Sequence, residues 1–190
     1  NTHYVDEIIK PLQNIKQQLD DKTIVWDCGN GASGPTLEMI TTKIPGKHVI
    51  LYSKVDGNFP NHHPDPTDES TLKILRNKMK EVDAELGIAF DGDGDRIGVV
   101  DKQGRVIPGD LLTAFLASSI TTNDKENQTI ILDIKSSYVA YENIISLGFK
   151  AEIGKTGHSN IKKRLKEIKS PLAGEMSGHI FFGDTYFGYD

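Results

Sequence analysis

Between two apolar runs, Leu86-Gly87-Ile88-Ala89-Phe90 and Ile97-Gly98-Val99-Val100, the chain places Asp91-Gly92-Asp93-Gly94-Asp95-Arg96. Three carboxylates and two glycines interrupt the runs, so the segment reads as a tight turn joining two strands. With Asp91, Asp93 and Asp95 at i, i+2 and i+4, the side chains can converge on one hard cation, without which their mutual repulsion is costly. A simple ion-binding loop has no need of the adjoining Arg96. A site that holds both Mg²⁺ and a phosphate does.

Around this turn, strand and helix patterns alternate. A helix is expected over 4–19, with Val5, Ile8, Ile9, Leu12, Ile15 and Leu19 near helical spacing. Thr23 to Cys28 reads as a strand, Asn30 to Gly34 as a glycine-rich turn, and Pro35 as the start of a helix reaching about Lys43. Val49 to Val55 is a second strand, and Glu69 to Lys80 a helix with Leu72, Leu75 and Met79 on one face. Leu86 to Phe90 and Ile97 to Asp101 flank the acidic turn. The pattern then restarts: helix over Leu111 to Ile120, strand over Thr129 to Ile134, helix over Ser137 to Leu147, strand over Phe149 to Ile153, helix over Asn160 to Ile168. Short strands at Leu172 to Ala173 and Ile180 to Phe182 follow. Alternation of this kind argues for α/β sheets, and the restart for two similar mixed α/β domains in tandem, 1–105 and 106–190.

Composition narrows the function classes. The chain has 190 residues, 26% charged and 37% hydrophobic, as expected of a globular protein with real cores. A net charge of −5 argues against nucleic acid as a partner. The most apolar long segment, Leu111 to Ile120, is too short to span a bilayer, so no membrane partner is expected. A single cysteine, Cys28, rules out an internal disulfide and fits a reducing compartment, the cytoplasm. The chain opens on Asn1 and closes on Tyr186-Phe187-Gly188-Tyr189-Asp190, and is read as a piece of a longer polypeptide, truncated within its second domain.

Several other segments carry chemistry. Gly29-Asn30-Gly31-Ala32-Ser33-Gly34 is a literal G-x-G-x-x-G between a strand and a helix, with Asp56 at a suitable distance, as an NAD-binding domain requires. Pro35 weakens that reading by removing an N–H near the helix start. Read as a calcium loop from Asp91, the acidic turn has Arg96 where glycine is needed and Lys102 where glutamate is needed. A phosphatase with Asp91 as nucleophile is a further reading. His62 and His63 point to opposite sides of an extended backbone and suit a rigid loop better than a shared metal. Lys162, Lys163, Arg164, Lys166 and Lys169 form a solvated helix face or a positive field for a phosphate. Cys28 reads as a buried small residue rather than a nucleophile. Gly154-Lys155-Thr156-Gly157-His158-Ser159-Asn160 is an anion-contacting turn before a helix. In Gly174-Glu175-Met176-Ser177-Gly178-His179, an extended backbone would put Glu175, Ser177 and His179 on one face, a set suited to sugar hydroxyls.

Taken in order, Asp27-Cys28-Gly29-Asn30-Gly31, Asp56 to Pro66, Ala89 to Arg96, Lys155 to Ser159 and Gly174 to His179 resemble the α-D-phosphohexomutases, in particular the bacterial phosphomannomutase/phosphoglucomutase branch. The resemblance implies the second and most of the third of that family's four α/β domains. It implies an isomerase of carbohydrate metabolism that interconverts hexose 1-phosphate and 6-phosphate, of mannose or glucose, through a phosphoserine and a hexose 1,6-bisphosphate. The phosphoserine domain and the C-terminal phosphate-binding domain would be partners in the same polypeptide, and the fragment alone would be inactive. Asp91, Asp93 and Asp95 would hold Mg²⁺. Arg96 and Lys135 would be catalytic, Lys135 either assisting proton transfer or contacting substrate. His158, Glu175, Ser177 and His179 would bind the sugar. A calcium-binding module and an NAD-dependent oxidoreductase using Gly29–Gly34 are the alternatives.

Overall fold

The apolar runs become the strands of two sheets. In a computed structural model, residues 2–10 and 19–183 are described. The chain divides into two compact units, Asn1–Val106 and Ile107–Asp190.

In the first unit, α1 (Thr2–Ile9) precedes β1 (Thr23–Asp27), α2 (Gly34–Thr41), β2 (Lys47–Leu51), α3 (Lys73–Glu81), β3 (Leu86–Phe90) and β4 (Ile97–Asp101), and β5 (Val106–Ile107), at the boundary, completes its sheet. The rest of the helix expected over 4–19 falls largely on 11–18, outside the described residues. The strand order is β2-β1-β3-β4-β5. β1 pairs in parallel with β2 and β3, whereas β3 and β4 form an antiparallel hairpin with Phe90 opposite Ile97. Val25, Ala89 and Val100 from the sheet pack with Leu72, Leu75 and Met79 to make the core. Leu75 and Met79 are one helical turn apart and share the buried stripe of α3.

Two boundaries shift by four residues from the sequence reading. α3 begins at Lys73 rather than Glu69 because Asp68 holds a turn: its carboxylate accepts from Ser70 N–H at 2.8 Å, and its carbonyl accepts from Thr71 N–H and Oγ1. β2 stops at Leu51 because Tyr52 takes a left-handed conformation, φ 54°, which an extended strand cannot continue through.

The second unit repeats the plan. Its elements are α4 (Gly109–Ser118), β6 (Thr129–Asp133), α5 (Tyr138–Ser146), β7 (Lys150–Gly154), α6 (His158–Ile168), β8 (Leu172–Gly174) and β9 (Ile180–Phe182). The order β7-β6-β8-β9 reproduces the first four strands of the other sheet, with β6 parallel to β7 and β8 and the β8–β9 hairpin antiparallel. Alternate residues face two layers. Ile130, Leu132, Leu172 and Ile180 pack with α4 and α5, while Ile131, Ala173 and Phe181 pack with α6. This is an α/β/α sandwich, as the alternation of patterns implies. Among the described residues no helix is long and apolar enough to cross a membrane.

Candidate functional site

In the first unit the acidic turn is the tip of the β3–β4 hairpin. Asp91 N–H donates to Arg96 O at 3.2 Å, and Gly94 makes the bend at φ 84°. Asp91 is 1% exposed. Its Oδ1 accepts from Gly94 N–H at 2.9 Å and Arg96 N–H at 3.1 Å, and its Oδ2 from Arg96 Nε at 2.7 Å. Asp93 is exposed and Asp95 half-buried, and one oxygen from each of the three carboxylates lies within 4.8 Å of the others. Arg96 Nε is also 3.6 Å from Asp95 Oδ1. Burial disfavours the charge on Arg96, but Asp91 and Asp95 outweigh it and hold the guanidinium above its ordinary range. One guanidinium against three carboxylates leaves excess negative charge on hard oxygen donors. That chemistry fits a divalent cation.

The glycine-rich turn supports this tip. A Cβ on Gly31 would lie 2.7 Å from Gly92 O, and Ala32 N–H donates to the same carbonyl at 2.9 Å. Asn30, left-handed at φ 61°, donates from Nδ2 to Lys54 O and accepts from Asn61 at Oδ1. The close approaches at Gly31 and Gly34 are thus taken up by the protein's own carbonyls, which leaves the dinucleotide reading unsupported.

At the end of β1, buried Asp27 accepts from Gly29 N–H and faces His62, whose Nε2 is 3.1 Å from both carboxylate oxygens. His62 Nδ1 must donate to His63 O, 2.9 Å away, so a hydrogen bond from Nε2 to Asp27 requires the imidazolium. The bond to Asp27 accordingly raises the His62 pKa above 6.5, against the opposing effect of burial. His63 is exposed, so the two histidines do separate. Burial pushes the Cys28 thiol up to about 11, which leaves it a core residue at neutral pH.

In the second unit three loops meet at the end of β6. Glu175 and His179 are buried, at 6% and 4% exposure. They are not side by side on an extended backbone, as expected, but face each other across the turn of the β8–β9 hairpin. Glu175 N–H donates to His179 O, Gly178 N–H donates to Glu175 O, and Gly178 takes φ 86°. The hairpin forces this bend because β8 and β9 must pair antiparallel within a few residues. Ser177 stands partly exposed at its tip. Glu175 Oε2 is 3.5 Å from His179 Nδ1, while Oε1 accepts from Gly157 N–H at 2.7 Å. His179 stacks on Phe181 at 4.3 Å, and the exposed His158 ring is 6.3 Å from it. Lys135 is exposed on the turn after β6. Of the residues expected to bind the sugar, His158, Glu175 and His179 are thus brought together, His179 lying buried beside the Glu175 carboxylate.

Sequence reasoning assigned no role to Asp27, Asp110 or Asp133, all 1% exposed. The available signal was the same in β1 and β6: an apolar run, Ile24-Val25-Trp26 or Ile130-Ile131-Leu132, that ends in aspartate.

Fold and site together define a class: tandem α/β/α proteins that repeat one strand order and carry their charged side chains on loops at the ends of the parallel strands. Residues 2–104 match the family model described as phosphoglucomutase/phosphomannomutase, alpha/beta/alpha domain II, and residues 108–190 match that of domain III. The chain belongs to the phosphoglucomutase/phosphomannomutase family. It is 44% identical over 167 residues to a phosphomannomutase/phosphoglucomutase of Pseudomonas aeruginosa, which covers 88% of this chain and 36% of that relative. A crystal structure of a family protein from Burkholderia thailandensis superposes with a TM-score of 0.88 at 38% identity, over 100% of this chain and 40% of that one. An Aspergillus fumigatus N-acetylphosphoglucosamine mutase, solved in complex with GlcNAc-6P and magnesium, shares the fold at a TM-score of 0.70 and 17% identity, over 96% of this chain and 40% of that one. The chain therefore spans well under half the length of these proteins. The calcium-module and NAD alternatives find no support in these matches.

Proposed function

We propose that the chain is the metal-binding and sugar-recognition part of a hexose-phosphate mutase, a reading carried by the convergence of the Asp91, Asp93 and Asp95 oxygens on the hairpin tip of a family member. These three residues would hold Mg²⁺, which when bound supplies charge neutralisation for a phosphoryl group in transfer. Arg96, tied to Asp91, presents its remaining N–H donors to a phosphate oxygen. In the second unit Glu175 and Ser177 bond sugar hydroxyls, and His158 contacts the same ligand. His179, buried beside the Glu175 carboxylate, helps to hold it in place. Lys135 offers an exposed ammonium that either donates a proton to a sugar oxygen or pairs with the substrate phosphate. Because a sugar that exchanges its 1- and 6-positions must bind in two orientations, contacts to hydroxyls serve both. The substrates are mannose or glucose phosphates and their 1,6-bisphosphate. The phosphoserine and a further phosphate-binding loop belong to other segments of the same polypeptide, in the cytoplasm.

The test is a titration of the chain with Mg²⁺ and Ca²⁺, followed by amide chemical shifts, together with a coupled assay for glucose 6-phosphate. Weak Mg²⁺ binding, about millimolar, with shifts confined to residues 91–96 is expected, and no turnover of glucose 1-phosphate. Tight, Ca²⁺-selective binding would sink the reading.

A further inference from the structure

Three donors from three separate loops converge on one buried carboxylate that has no part in the chemistry described above. Asp133 Oδ1 accepts from Ser136 Oγ at 2.8 Å and from Met176 N–H at 3.2 Å, and Oδ2 accepts from Thr156 Oγ1 at 3.0 Å. Ser136 follows Lys135, Thr156 lies two residues before His158, and Met176 stands between Glu175 and Ser177. Each loop that carries a sugar-recognition residue thus has one hydrogen bond to the same side chain.

The carboxylate is 1% exposed, so it cannot reach a ligand itself. A buried carboxylate is costly unless its lone pairs are used, and these loop donors use them. Burial of Asp133 and the placement of the three loops are therefore mutually dependent. Two further bonds tighten the arrangement. Gly157 N–H reaches Glu175 across the second and third loops, and Ser137 N–H donates to buried Asp110 at 2.7 Å behind the first. Asp133 ends β6, an interior strand flanked in parallel by β7 and β8, which is a rigid place from which to hold loops.

We propose that Asp133 is the positioning residue of the second unit, setting Lys135, His158 and the Glu175–Ser177 tip in mutual register for a hexose phosphate. It acts through Ser136, Thr156 and the Met176 amide rather than by contact with the sugar. The proposal rests on the reading that these loops bind a hexose phosphate.

The experiment titrates the 190-residue chain with glucose 1-phosphate and follows amide shifts in wild type, Asp133→Ala and Asp133→Asn. Asparagine keeps one acceptor oxygen for Ser136 and Met176, and its amide can donate to the Thr156 hydroxyl, which turns to accept. Asp133→Ala should weaken binding about tenfold or more, while the amides of α4 and α5 keep their shifts. Asp133→Asn should recover most of the affinity. A merely structural role would not separate affinity from folding in this way. Equal binding by Asp133→Ala and wild type would overturn the proposal and leave the sugar-phosphate reading standing, as would equal losses in the two variants. No binding by wild type would overturn the reading itself. Should Asp133→Ala not fold, Ser136→Ala with Thr156→Ala decides: weakened binding supports the proposal, unchanged binding overturns it.

Discussion

Asp27 and Asp133 hold the same place in the two units. Each ends the central parallel strand and each is 1% exposed. Their partners differ. Asp27 faces one imidazole, whereas Asp133 gathers hydroxyl and amide donors from three loops. The hairpin tips differ in the same sense. Asp91 is satisfied within six residues, by Gly94 and Arg96, while Glu175 reaches 18 residues away to Gly157. One topology thus supports a self-contained acidic tip in the first unit and a cross-linked set of loops in the second. A locally closed tip can keep its shape while adding a cation, and a sugar of many hydroxyls needs donors and acceptors from several loops at once.

The largest expected effect compares two glycines. A Cβ on Gly34 would lie 1.9 Å from the Ser53 backbone oxygen, and one on Gly174 would lie 1.8 Å from the Thr113 hydroxyl. Backbone cannot step aside as a side chain can. Gly34→Ala should therefore cost about 3 kcal/mol or more and Gly174→Ala rather less, read from urea unfolding. Equal costs would show that Thr113, fully buried and bonded to Gly109 O, is as immovable as backbone.

Next come the tips. Asp91→Ala strands two backbone N–H groups and should destabilise the first unit by about 2 kcal/mol. Its hydrogen-exchange footprint should stay within 91–96, whereas Glu175→Ala should speed exchange at Gly157. A distant footprint for Asp91→Ala would break the contrast between the two tips.

A smaller, pH-dependent effect separates Asp27 from Asp133. Because folding raises the His62 pKa above 6.5, the imidazolium–Asp27 bond stabilises the first unit fully below pH 6.5, and the gain is lost as pH rises through the folded value. His62→Gln should cost about 1 kcal/mol at pH 6 and progressively less at higher pH, measured by unfolding of the two proteins in parallel. A pH-independent difference would mean that the pair is held neutral.

The smallest effect on stability belongs to Asp93. It is exposed, so Asp93→Ala should leave the unfolding midpoint unchanged while abolishing the Mg²⁺-dependent shifts of the acidic tip. If Mg²⁺ still binds as in wild type, Asp93 is not a ligand.

What could be read in advance follows the range of the interactions. Leu86–Phe90 and Ile97–Asp101 were legible as strands because apolar runs bounded by turn residues need only local information. The acidic tip was legible for the same reason, since its partners are its neighbours. The starts and stops that shifted depend on side-chain and backbone contacts, Asp68 with Ser70 and Thr71 in one case and the left-handed Tyr52 in the other. The second unit's loops were recognisable as motifs but not as a network. Thr156 and Met176 lie 23 and 43 residues from Asp133, and no spacing rule connects them.

By itself the sequence determined that this chain alternates strands and helices in two similar blocks, that an acidic glycine turn joins two strands, and which polar residue types lie between the elements. Tertiary structure alone decided that Glu175 and His179 face each other across a hairpin, that Arg96 turns onto Asp91, that Asp27 is buried against His62 and that Asp133 is a buried hub. The physical reason is that hydrophobic periodicity is set by neighbours along the chain. The partners of a buried charge, by contrast, are chosen by which loops the packed sheet brings to the same strand end.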